Sequence, residues 1–264
     1  MTESTTTFGA IGSPPGHYAP INGLRLYYEV HGQGRPLVLL HGGLLTLDLA
    51  FGPMIPALAE HHQVIGIELQ GHGHTGDIDR PMRLDSLADD VASLLELLNL
   101  DRADVFGFSV GGMVALTMGL RHPDRIGRLV IASVDHRPNH AEFEQPDDPD
   151  VARRMPTEAD FQGMRDAHAR VAPRPEDFDA VAEKTSSMVH AFGGWSDIQL
   201  RSTSAPTLLL VGDTDFVPLE NAVAMFKLLP EAELAVLPGT THMGVTRNPD
   251  RVLATVRPFL NPAG

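Results

Sequence analysis

The chain has 264 residues, a formal net charge of −14 and no cysteine. That length allows one large domain with a core covered on two faces, and the missing thiols exclude disulfides, a catalytic thiolate and thiolate metal sites. Nucleic-acid binding draws most of its affinity from clustered Lys and Arg, so 34 acidic against 20 basic residues argues against such a partner.

Met1 to Pro20 is rich in Ser, Thr, Gly and Pro, with neither the basic nor the apolar region of a secretory signal, and reads as a loosely held tail. No apolar run approaches the roughly 20 residues that span a bilayer. A cytoplasmic protein without a membrane partner is the expectation. Leu24 to Val30 and Pro36 to Leu40 read as strands, separated by Gly32-Gln33-Gly34, a hairpin-like signal. Pro53 to Glu60 predicts a short helix, and Val64 to Leu69 a strand that runs into Gly71-His72-Gly73-His74. Leu84, Leu87, Ala88, Val91, Leu94, Leu95 and Leu98 form a helical stripe.

Further along, Ala103 to Phe106 is apolar, Gly112 to Leu120 is helix-like, and Leu129 to Val134, Pro206 to Val211 and Leu234 to Leu237 read as strands. Short all-apolar strands alternating with helices predict an α/β fold with a mostly parallel sheet covered by helices on both faces. Sites in such sheets lie outside the carboxyl ends of the strands. Residues 135–204 break the rhythm: they are rich in Pro, Asp, Glu and Arg, with helices expected at Thr157–Val171 and Glu176–His190. This stretch reads as an inserted helical cap over the strand ends, and 21–134 with 205–264 as the core. A cap excludes water and shapes a pocket, for which Met188, Phe192 and Trp195 are candidate walls.

The densest chemical signal is Gly107-Phe108-Ser109-Val110-Gly111, set between a strand and a helix. A serine in so tight a turn needs small residues two before and two after it, and both are glycine. The turn exposes the Ser109 hydroxyl and aims the Val110 N–H at the same point. A serine hydroxyl needs a base to take its proton. His242 follows the last expected strand, and Asp213 and Asp215 follow the strand before it, so the order is serine, acid, histidine. Asp135, after the Leu129–Val134 strand, is a rival acid. Pro36 to Leu40 ends in His41-Gly42-Gly43-Leu44, where a second oxyanion N–H belongs.

With these residues in order, the chain resembles an α/β-hydrolase-fold serine hydrolase of the carboxylesterase-like kind. The resemblance runs from about Ile21 to Leu260, and also rests on Gly71-His72-Gly73-His74, Gly212-Asp213-Thr214-Asp215 and Gly239-Thr240-Thr241-His242. It implies a triad of Ser109, Asp215 and His242, with backbone oxyanion donors at Gly43 and Val110. The family pattern of Gly, two residues, then Asp selects Asp215, leaving Asp213 to satisfy backbone N–H groups. The expected reaction is cleavage of a small-molecule carboxylic ester through an acyl-enzyme, with no cofactor. Perhydrolysis or haloperoxidase-like chemistry, lactone or carbon–carbon bond hydrolysis, and ligand binding without catalysis are alternatives on the same fold. His72-Gly73-His74 with Asp77 resembles a metal-site fragment, but the spacing and ligand count are wrong, so no metal is expected. His41 is expected to orient the glycine loop beside it.

Overall fold

A computed structural model describes residues 16–137 and 152–262. The first fifteen residues of the expected tail and residues 138–151 of the expected cap lie outside them. Eight strands form one sheet in the order β1-β2-β4-β3-β5-β6-β7-β8. They are β1 His17–Ile21, β2 Leu24–His31, β3 Arg35–Leu40, β4 His62–Ile67, β5 Ala103–Phe108, β6 Ile126–Ala132, β7 Thr207–Gly212 and β8 Ala232–Leu237. The β1–β2 and β2–β4 pairs are antiparallel, and every pair from β4 to β8 is parallel.

Two expectations from the sequence are corrected at this edge of the sheet. Residues 17–20, read as tail, belong to β1, which folds back on β2 through Asn22-Gly23, both in the left-handed region at φ 47° and 87°. An Asn-Gly pair suits a two-residue hairpin because both central residues must take positive φ. The hairpin-like Gly32-Gln33-Gly34 does not pair its flanking strands, because β4 lies between β2 and β3. The short helix expected at Pro53–Glu60 is α2 Ile55–Ala59, and it is preceded by another, α1 Leu47–Phe51, which the sequence reading does not place.

The core follows from strand alternation. Val38 and Leu40 of β3, Val105 of β5 and Leu129 and Ile131 of β6 pack to one side, under α3 Leu84–Leu97 and α4 Val110–Arg121. Leu37 and Leu39, Phe106 and Phe108, and Val130 and Ala132 pack to the other, against α1, α2 and the last helix. Each fully buried Leu, Val or Phe contributes about 1.5–3 kcal/mol, so a strand buried on both faces is fixed in register by either layer.

Between β6 and β7 the described chain forms α5 Glu158–Val171, α6 Phe178–His190 and α7 Asp197–Arg201, with no strand. Thr157 and Asp160 make a reciprocal capping box at the start of α5, and Asp160 also accepts from Arg247 of the core. Lys184 of α6 donates to Asp77 at 2.5 Å and to the Ile78 carbonyl at 3.0 Å, fastening the inserted helices to the loop after β4. The remaining helices are α8 Leu219–Leu228, α9 Gly244–Arg247 and α10 Pro249–Leu260. No helix among the described residues is long and apolar enough to cross a membrane.

Candidate active site

Strand β5 ends at Phe108 and helix α4 begins at Val110, so the whole reversal falls on Ser109, at φ 53° and ψ −121°. A non-glycine residue in that region is strained and persists only where its surroundings over-determine it. The surroundings are visible. A β-carbon on Gly107 would sit 2.2 Å from the Gly111 carbonyl oxygen, and one on Gly111 would sit 2.0 Å from the Leu40 carbonyl oxygen. Both contacts are with backbone, which cannot yield. The Ser109 N–H is also fixed, donating to the Ala132 carbonyl of β6 at 2.9 Å. Although serine is a favoured N-cap residue, Ser109 makes no side-chain cap to α4. Its hydroxyl faces a histidine instead.

That histidine is His242, in the loop between β8 and α9, with Nε2 3.1 Å from Ser109 Oγ. Its Nδ1 lies 2.9 Å from Asp215 Oδ1, and its ring stacks on Phe216 at 4.1 Å between centroids. Two loops are interlocked to achieve this. The Thr214 N–H donates to the Thr240 carbonyl, while the Thr240 N–H donates to Asp213 Oδ1. Asp213 therefore binds backbone in the turn, and Asp215 faces the imidazole.

Asp215 is 1 % exposed yet fully satisfied. Oδ1 accepts from His242 and from the Val217 N–H at 3.0 Å, and Oδ2 accepts from the Ser133 hydroxyl at 2.6 Å. Burial alone would raise this carboxyl. The charge of His242 and the hydrogen bonds from His242, Ser133 and Val217 outweigh it and hold the group below the ordinary carboxylate range. An ionised carboxylate only accepts, so His242 Nδ1 must carry the proton, which leaves Nε2 as an acceptor for Ser109. Asp135, the rival acid, borders the smaller lobe over Ser109 but does not face His242. Its Oδ2 accepts from Asn221 at 2.6 Å and its Oδ1 from the Arg137 N–H at 2.9 Å.

Gly43 follows β3 beside the serine turn: a β-carbon there would meet Val110 Cγ2 at 3.2 Å and Thr185 Cγ2 of α6 at 3.0 Å. His41 anchors this loop from beneath. Its Nε2 accepts from the Leu69 N–H at 3.1 Å, and its Nδ1 donates to the Gly42 carbonyl at 2.8 Å. Burial pushes its pKa down, against the opposing pull of that carbonyl, and keeps the ring neutral.

The space above Ser109 has two lobes that share Ser109, Val110, Val189, His190, Phe216 and His242 as walls. The larger lobe, about 270 Å³, runs past Gly43, Leu44, Phe161 and Met164, and the smaller, about 100 Å³, past Met113, Val134, Arg137 and Phe192. Of the three expected cap walls only Phe192 reaches this space. Met188 and Trp195 line a separate, open cleft of about 580 Å³, which Phe192 also borders. That wider cleft contains no nucleophile–base pair.

The histidines of the loop after β4 are spoken for separately. His74 Nδ1 donates to Glu68 at 2.8 Å, His72 Nδ1 donates to the Gln70 carbonyl at 2.8 Å, and Asp77 pairs with Lys184. Among the described residues no three His, Asp or Glu side chains are grouped to hold a metal ion. Ser133 lies just past β6, without flanking glycines. Its left-handed φ of 57° at the end of β6 turns the hydroxyl to Asp215, a placement that depends on a strand distant in sequence.

The profile of the alpha/beta hydrolase fold matches residues 35–176, more than half of the chain. The chain belongs to the alpha/beta hydrolase fold family. Similar sequences include a protein of Caulobacter sp. (strain K31) that bears a provisional name, carbamate hydrolase RutD, 26 % identical over 89 % of this chain and 96 % of that one. Another is (E)-2-((N-methylformamido)methylene)succinate hydrolase of Acinetobacter baylyi (strain ATCC 33305 / BD413 / ADP1), 25 % identical over 90 % of this chain and 95 % of its own. Among solved structures, the enol-lactonase from Burkholderia xenovorans LB400 superposes with a TM-score of 0.75 at 22 % identity, covering 92 % of this chain and 99 % of that one. This alpha/beta hydrolase thus shares its fold with that structure.

Proposed function

We propose that this alpha/beta hydrolase cleaves carboxylic esters of small molecules through an acyl-enzyme, with Ser109 as nucleophile, His242 as base and Asp215 as its partner. One observation carries the reading: Ser109 Oγ, His242 and Asp215 form a continuous hydrogen-bonded row, 3.1 and 2.9 Å per link, at the carboxyl edge of the sheet. In this mechanism His242 Nε2 takes the hydroxyl proton as Ser109 Oγ attacks the ester carbonyl. The N–H groups of Gly43 and Val110 receive the oxyanion. The tetrahedral adduct collapses, and His242 returns the proton to the leaving alcohol. Water then repeats the sequence on the acyl-enzyme and releases the acid. Asp215 stays ionised throughout, holding the Nδ1–H tautomer and stabilising the imidazolium.

The carbamate hydrolase name of the Caulobacter relative supports a second reading, in which the carbonyl attacked is that of a carbamate. Both readings use the same three residues and differ in the leaving group. Turnover of 4-nitrophenyl acetate and butyrate beside matched carbamate esters tests them together, with Ser109→Ala as the control. Loss of the triad serine is expected to lower kcat by about 10⁶-fold. An undiminished rate in Ser109→Ala would remove Ser109 from the mechanism, and turnover of carbamates alone would replace the ester reading with the second.

A further inference from the structure

The smaller lobe over Ser109 is apolar on most of its surface, walled by Met113, Val134, Val189, Phe192 and Val217, yet it contains a cation. Arg137 lies at its rim, just after β6, and its side chain is exposed. Among the described residues its contacts leave most of the guanidinium unused. The backbone N–H donates to Asp135 Oδ1, and Nε lies 3.4 Å from His136 Nε2. Asp135 borders the same lobe, but its oxygens are engaged: Oδ2 accepts from Asn221 at 2.6 Å, and Oδ1 accepts from the Arg137 N–H and lies 3.6 Å from His136 Nδ1. A guanidinium is charged at every working pH and presents two parallel N–H donors that match a carboxylate. Beside low-dielectric walls such a pair is stronger than on an open surface. The chain as a whole carries a net charge of −14, so an anion would need a local cation to enter here.

We propose that the alpha/beta hydrolase takes carboxylate-bearing esters, and that Arg137 holds the carboxylate at the far end of the smaller lobe. This rests on the ester reading above and narrows it to a substrate class. The lobe's volume of about 100 Å³ is small, so the chain between the ester and the anion is short. Arg137 is here a specificity residue and takes no part in proton transfer.

Three esters of similar size separate the possibilities: monomethyl glutarate with its anion on the acyl side, acetoxyacetate with its anion on the alcohol side, and neutral methyl butyrate. At least one anionic ester is expected to exceed methyl butyrate tenfold or more in kcat/KM, and the preferred one shows which arm enters the lobe. In Arg137→Gln that selectivity ratio should fall at least tenfold, mainly through KM, and Arg137→Lys should recover part of it. Equal handling of neutral and anionic esters by the native chain, or a ratio unmoved in Arg137→Gln, overturns the proposal. Titration calorimetry with glutarate measures the site without turnover, so it separates failure of the ester reading from failure of the carboxylate site. Binding that weakens in Arg137→Gln supports the site even if no ester is cleaved, and no binding to the native chain rejects it.

Discussion

The Ser133 hydroxyl donates to Asp215 Oδ2 at 2.6 Å, on the carboxylate oxygen that His242 does not use. With Oδ1 already taken by His242 and the Val217 N–H, this bond leaves the carboxylate no freedom to rotate. Hydrogen bonds to charged groups contribute about 1.5–3 kcal/mol, so Ser133→Ala should lower kcat by roughly ten- to a hundredfold with KM little changed. Asp215→Asn, which forces the wrong tautomer on His242, should cost about 10⁴ in kcat. Steady-state kinetics with melting curves check both. A Ser133→Ala enzyme with native kcat would show that the carboxylate keeps its place without this bond.

Gly111 decides whether the serine turn can close. Its hypothetical β-carbon would sit 2.0 Å from the Leu40 carbonyl oxygen, so Gly111→Ala must push α4 away from β3. Both elements are in the core, and the displacement should cost several kcal/mol, about 10 °C or more in Tm for a chain of this size. Thermal unfolding measures it. A variant that melts with the native chain would mean the turn has slack that the close approach denies.

Such steric demands explain which parts of the site were legible in the sequence. Gly107, Ser109 and Gly111 are constrained within a few residues, so the turn is written locally, as is the order Ser109, Asp215, His242 along successive strand ends. The Asp213–Asp215 choice was legible only through the family pattern, because both follow β7 and the interlocking with Thr240 comes from another loop. Ser133 and Arg137 become part of the site through the pairing of β6 with β5 and β7, which no local pattern encodes. The β-hairpin edge was misplaced for a similar reason. Gly32 and Gly34 have the composition of a hairpin, but β4 pairs with both flanking strands and keeps them apart.

Gly43 tests the oxyanion loop separately from the triad. A β-carbon there would press on Thr185 Cγ2 at 3.0 Å and Val110 Cγ2 at 3.2 Å, both side-chain atoms that can move a little. Gly43→Ala should therefore fold, with a small loss of Tm. In moving, however, the loop would carry the Gly43 N–H away from its place beside Val110. Loss of one oxyanion donor costs about 10²–10³ in kcat. The expected result is a large fall in kcat beside a nearly native melting curve. A variant equally impaired in both would assign Gly43 to packing.

Stability should fall on mild acidification, well before the carboxylates titrate. His72 is buried with Nε2 unpartnered, and burial first, then the neighbouring His41, push its pKa down to about 3. Burial also lowers His41 and His168. In the unfolded chain each imidazole binds a proton at a pKa of about 6.5, and in the folded chain only at lower pH. The unfolded state thus holds more protons below 6.5. The share from His72 is complete above that pH and declines as pH falls toward about 3, by up to about 1.4 kcal/mol per pH unit, and His41 and His168 act in the same direction. The depressed Asp215 acts in the same direction nearer its own, more acidic range, while His74, raised by its hydrogen bond to Glu68, acts in the opposite direction, so the difference between the native chain and His72→Gln from pH 7.5 to 5 isolates the His72 share. Urea midpoints across that interval should drop in the native chain and drop less in His72→Gln, which removes one titrating group. The same pH dependence in both would mean that His72 is not held neutral by the fold.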